Sequence, residues 1–126
     1  VAVTPPRPWA RWMAKRGYLP EGVPLLKHVA AKTGQRVCRI GNMVSVDRHP
    51  VAFALVRDSR GRPLPVWQGC RRLRSDEFLF MNPSVADSMD GRYFGPLPAT
   101  TLLGRATPML TRDRANGPLV WRGIAP

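Results

Sequence analysis

A chain of 126 residues is long enough for one domain with a modest core and too short for several. Its 44% hydrophobic content excludes wholesale disorder, while 14 prolines and 11 glycines exclude long helices and favour short strands joined by tight turns. A formal net charge of +12 suits nucleic acid, an anionic membrane surface or acidic partners, but the arginines are spread along the chain, so charge alone does not choose among them.

The chain opens on VAVTPP, which reads as the end of a strand, so a segment upstream of Val1 is expected. PWARWMAKRG (8–17) predicts the one convincing helix: Pro8 suits the first turn, Trp9, Trp12 and Met13 share a face, and Gly17 can end it. Aromatics so spaced pack more often than they stack on bases. Pro20, Gly22 and Pro24 then extend the chain. Strands are expected over 24–31, 35–40, 43–47 and 51–57, separated by KTG, GN and RHP turns. DSRGRPLP (58–65) reads as an exposed loop with a basic tip, and EFLFMN (77–82) as a buried strand. Residues 84–98 are turn-rich, 100–110 are apolar enough to return to the core, and 113–126, without a clear period, read as a loose tail. No stretch approaches the ~20 apolar residues of a membrane span. With no internal repeat, the expected organisation is a single, mainly β domain over 1–126.

Two cysteines, Cys38 and Cys70, fit buried thiols, half of a metal site or one disulfide. Zinc is disfavoured, because only His28 and His49 remain as nitrogen ligands and no Cys-x-x-Cys spacing occurs. A disulfide is favoured; it would close a loop of about thirty residues, add ~3–4 kcal/mol on the chain-entropy account, and place the protein outside the cytosol.

Within PLLKHVAAKTGQRV (24–37), Lys27 keeps unusual company. On a strand, Leu25, Lys27, Val29 and Ala31 share one face, and Leu26, His28, Ala30 and Lys32 the other. The ordinary fate of such a lysine is to snorkel, its stem buried and its ammonium in water. A desolvated lysine is different: burial lowers its pKa and leaves an amine able to take a proton from a serine. It would need an orienting neighbour, and NPSVADSMDGRYFG (82–95) offers one. Asp90 and Arg92 flank Gly91 and can pair within a turn, with Ser88 two residues before Asp90. Alone, that stretch is a side-chain-capped turn.

Together, the LLKHVAAKTGQRV stretch, the DSMDGRYFG box (87–95) and the following LLGRA resemble the signal-peptidase family of Ser–Lys proteases, above all its conjugative-transfer, TraF-type branch. The likeness covers roughly residues 1–112, and the box is its most specific part. It implies a coiled or barrel-like sheet of the signal-peptidase (LexA-like) type, with one short helix near the N-terminus. By position, Lys27 would be the general base, Ser88 would orient its amine, and Asp90 with Arg92 would hold the loop beside it. No cofactor or metal is implied. Cys38 and Cys70 fit a disulfide kept in the periplasm.

The chain departs from the family pattern in four places. His28 stands where arginine is common, Thr33-Gly34-Gln35 replaces Pro-Gly-Asp, and Gly91 replaces the second serine of the box. The fourth is the nucleophile, a serine well before the lysine in the family; here the first serine is Ser45, eighteen residues after Lys27. The expectation is a fragment, inactive alone, whose anchor and nucleophile lie upstream of Val1. The resemblance implies a serine endopeptidase at the periplasmic side of the bacterial inner membrane. It would process exported precursors such as signal peptides or conjugative pilin, bound as an extended strand, and work beside conjugative pilus or secretion components and anionic lipid. Chain joining through an acyl-enzyme stays open. The alternatives are a basic β-barrel that binds nucleic acid, with Trp9 and Trp12 in the contact set, and a scaffold without catalysis.

Overall fold

The computed structural model describes residues 1–112 and 119–125, with side chains up to Gly104. The chain is mainly β, and every strand pairing within its three sheets is antiparallel. It divides into two compact units, Val1–Leu26 with the described residues from Thr101 onward, and Lys27–Thr100.

In the first unit, β1 (Ala2–Val3) lies between β2 (Leu25–Leu26) and β10 (Leu102–Arg112), and β10 also pairs with β11 (Leu119–Ala125). β11 falls in the stretch that showed no periodicity; residues 113–118 and 126 of the expected tail lie outside the described residues. Helix α1 spans Arg7–Lys15, close to the expected 8–17, with proline in its first turn. Gly17 ends it at a φ of 74°, where Gly17 N donates to Ala14 O and Tyr18 N to Met13 O, the paired bonds of a Schellman stop.

The second unit carries two sheets, ordered β3-β8-β9 and β6-β5-β4-β7. The first contains β3 (His28–Ala31), β8 (Glu77–Met81) and β9 (Leu97–Pro98). The second contains β4 (Arg36–Ile40), β5 (Met43–Val46), β6 (His49–Phe53) and β7 (Gly69–Arg72). Gly41 and Asn42 join β4 to β5; Asp47 and Arg48, both at positive φ, join β5 to β6. That second turn pulls β6 two residues earlier than expected. Pro50 is tolerated because β6 is an edge strand. Val37, Val44, Val46, Ala52, Leu73, Leu79 and Met81 form the core between these strands, and burying a side chain such as Leu79 or Met81 contributes about 1.5–3 kcal/mol.

The single strand expected over 24–31 is two strands. β2 ends at Leu26, β3 begins at His28, and Lys27 occupies the break. A register shift between Val29 and Ala31 re-aims the side chains, so Lys27 and Ala31 are buried while Val29 stays exposed. The face of Leu25, Lys27, Val29 and Ala31 read from alternation is thus interrupted at Val29, which is exposed. Beyond the expected helix there is a second short one, α2 (Gly91–Phe94), followed by a 3-10 turn at Ala99–Thr101. Cys38 and Cys70 are direct partners across β4 and β7 and form a disulfide.

Candidate active site

The site is built inside the second unit from two segments 61 residues apart. Lys27 Nζ donates to Ser88 Oγ at 2.8 Å. Both residues are buried, Lys27 at 9% exposure and Ser88 at 8%. The lysine therefore does not snorkel. Burial holds its pKa below the usual lysine value; the Asp90 carboxylate pulls in the opposite direction, and the Arg92 charge adds to the lowering.

What holds Ser88 in place is the Asp90–Arg92 pair, about 1% exposed at each member. Asp90 caps α2: its Oδ1 accepts from Arg92 N and Arg92 Nε at 3.0 Å each, while Oδ2 accepts from Arg92 Nη2 at 2.9 Å and Asn82 N at 3.0 Å. The rest of the guanidinium faces the loop that leads to Ser88 and the end of β6, where Nη1 donates to Phe53 O at 3.4 Å. Nη2 donates to Asn82 O at 2.8 Å and to Val85 O at 2.7 Å, and Nη1 donates to Ala86 O at 3.4 Å. One arginine thus ties three carbonyls of residues 82–86 to the carboxylate that caps the helix. The loop also turns on itself, Val85 N donating to Asn82 O and Ser88 N to Val85 O.

Gly91, an expected departure from the box, sits where a side chain has no space. A Cβ built there would lie 2.5 Å from Leu79 Cδ1 and 2.9 Å from Phe80 O, so β8 leaves no room for a side chain. In the turn after the lysine, between Thr33 and Gln35, Gly34 supplies a φ of 86°. His28 is exposed.

Three further residues support the site: Arg39 and Trp67, which were not singled out from the sequence, and Tyr93, which was read only as part of the box at 87–95. Arg39 is 1% exposed and donates only to carbonyls among the described residues: Gly41 O, Pro65 O, and Arg92 O at 2.6 Å. Trp67 Nε1 donates to Gly91 O at 3.0 Å, and its ring lies beside Gly95. Tyr93 Oη accepts from Leu55 N at 2.9 Å. The signal for Arg39 was available: like Lys27, it is a charge at an inward position of an alternating strand.

Among the described residues no cluster of three His, Cys, Asp or Glu side chains could hold a metal, and no helix is long and apolar enough to cross a membrane. A family model described as signal peptidase, peptidase S26, matches residues 1–110. The chain belongs to this family. It is 42% identical over 121 residues to a probable conjugal transfer protein TraF of Sinorhizobium fredii, which covers 88% of this chain and 62% of that protein. A conjugal transfer protein TraF of Agrobacterium fabrum is 42% identical over 106 residues, with 78% and 58% covered. A plasmid transfer protein TraF of Escherichia coli is 31% identical over 106 residues, with 77% and 60% covered. The likeness to the TraF-type branch, expected from the box at 87–95, is carried by these relatives. The chain spans about three fifths of the length of the curated relatives it matches. No solved structure matches it.

Proposed function

We propose that this signal-peptidase family member carries the base half of a Ser–Lys endopeptidase for exported precursor proteins. The observation that carries the reading is the buried 2.8 Å contact between Lys27 Nζ and Ser88 Oγ. An amine kept from water sheds its proton more readily, and a hydroxyl held at hydrogen-bond distance fixes where its lone pair points. The neutral amine would take the proton of a serine hydroxyl as that oxygen attacks the scissile carbonyl, then pass it to the leaving amine. Because no serine precedes Lys27, the nucleophile in this reading comes from outside residues 1–126.

A substrate would join as an extra strand. β3 pairs with β8 alone among the described strands, so its other edge offers backbone donors and acceptors one residue after the base. The TraF names of the relatives support transfer-related precursors such as pilin as substrates, and the disulfide supports the periplasmic side of the membrane.

The test uses a longer chain that includes the nucleophile serine. Lys27→Ala should reduce cleavage of a precursor peptide by at least about a thousandfold, the usual scale for losing a catalytic base together with its nucleophile's activation. Ser88→Ala should leave partial activity, because it orients the amine without carrying the proton. Cleavage that survives Lys27→Ala removes the reading.

A further inference from the structure

Residues 65–72 run through the second unit between two buried anchors, Leu64 and Leu73. No side chain between the anchors is buried; Pro65 and Trp67 are half-buried and the others exposed. The stretch is therefore held by separate contacts along its length and not by an apolar face. Pro65 O accepts from Arg39 Nη1 at 3.3 Å, Trp67 Nε1 donates to Gly91 O at 3.0 Å, and Gln68 exchanges two hydrogen bonds with the backbone of Gly41. Cys70 completes the set through its bridge to Cys38.

Both cysteines lead to carbonyls of α2. Arg39 follows Cys38 directly and donates to Arg92 O; Trp67 stands three residues before Cys70 and donates to Gly91 O. Trp67 also packs against the core, with its ring beside Gly95 just past the end of α2. The indole thus seats the helix that Asp90 caps and that the Asp90–Arg92 pair joins to the Ser88 loop. β7 has little else to keep it on β4. It is an edge strand, its four residues are exposed, and its register sets Arg72 opposite Arg36, a like-charge pairing that costs stability.

We propose that Trp67 is a positioning residue for the Lys27–Ser88 dyad and that the Cys38–Cys70 bridge, by fixing β7 to β4, sets it in place. Reduction by a dithiol gives each sulfur one electron and one proton, while the dithiol closes to its own disulfide; Cys70 is exposed, so the reagent reaches it. β7 then parts from β4, Trp67 leaves Gly91 O, and Lys27 loses the hydroxyl that orients it. The base is assembled only in an oxidised chain. That regulation rests on the base reading given above.

The experiment follows Lys27 by NMR in the 126-residue chain, through its Cε signal across a pH titration, and needs no substrate. The oxidised parent should titrate below 10.5. Trp67→Phe keeps an aromatic ring and removes the donor. It should raise the protonation constant of Lys27 about fivefold, the scale of one lost hydrogen bond, as water reaches the amine. Dithiothreitol, or Cys38→Ser with Cys70→Ser, should raise it at least as far, and Trp67→Phe should then add nothing. In a longer chain that includes the nucleophile serine, Trp67→Phe should lower kcat about fivefold and leave KM unchanged, because it touches no substrate. An unmoved Lys27 titration in a folded Trp67→Phe or reduced chain overturns the inference and leaves the base reading standing. So does an equal effect of Trp67→Phe with and without the bridge, or loss of the whole fold on reduction. A parent that titrates at 10.5 defeats the base reading itself, and this inference with it.

Discussion

Lys27 costs the folded protein something, and the cost depends on pH. Burial lowers its pKa below the ordinary 10.5, so between the lowered value and 10.5 the unfolded chain holds more protons than the folded one. Stability attributable to this residue is therefore least below the lowered pKa and recovers as pH rises toward 10.5. Lys27→Met, which does not titrate, should be the more stable protein near pH 7, and its advantage should shrink by about pH 10 in urea titrations. An advantage that does not change with pH would mean a solvated amine. The same residue scale shows what could be read without coordinates. Lys27 was visible because a charge at an inward strand position coincided with a box able to supply its neighbour. Arg39 has the same anomaly in RVCRI, but its partners are backbone carbonyls from three places in the chain, and carbonyls leave no trace in a sequence.

At the scale of elements, α2 is only four residues long and owes its place to side chains around it. Asp90→Asn keeps the shape of the cap and removes its charge, leaving the Arg92 guanidinium buried without a counter-charge. The expected cost is about 3–5 kcal/mol, read as a lower urea midpoint, with loss of the Lys27–Ser88 contact. Gly91→Ser drives a side chain into β8, at a cost of about 1–3 kcal/mol. Adding Leu79→Val should return part of that loss, because the two positions touch; strict additivity in a double-mutant cycle would contradict the contact. Element legibility follows from the same physics. The hairpin strands β4 and β5 were readable from alternation and the Gly41–Asn42 turn. β7 was not, since all four of its residues are exposed and no inward face marks it. The break at Lys27 was hidden because a register shift depends on the partner strand, here β8, and not on local spacing.

For the whole molecule, composition foresaw a mainly β chain of short strands, and the family likeness came from the two stretches around Lys27 and Ser88. Charge was the least specific signal, and only the register of one sheet sets Arg36 opposite Arg72. The Cys38–Cys70 bridge ties the edge strand β7 to β4. Replacing both cysteines with serine should lower stability by about 3–4 kcal/mol, measured by denaturant unfolding under oxidising conditions. The bridge also makes each molecule a record of where it has been. Cys70 is exposed, so in a chain that has met only a reducing compartment its thiol is open to an alkylating reagent, whereas in an oxidised chain it is consumed. The fraction of a cellular pool that resists labelling then counts disulfide-bonded chains directly, without a tag, a fusion or any knowledge of the substrate.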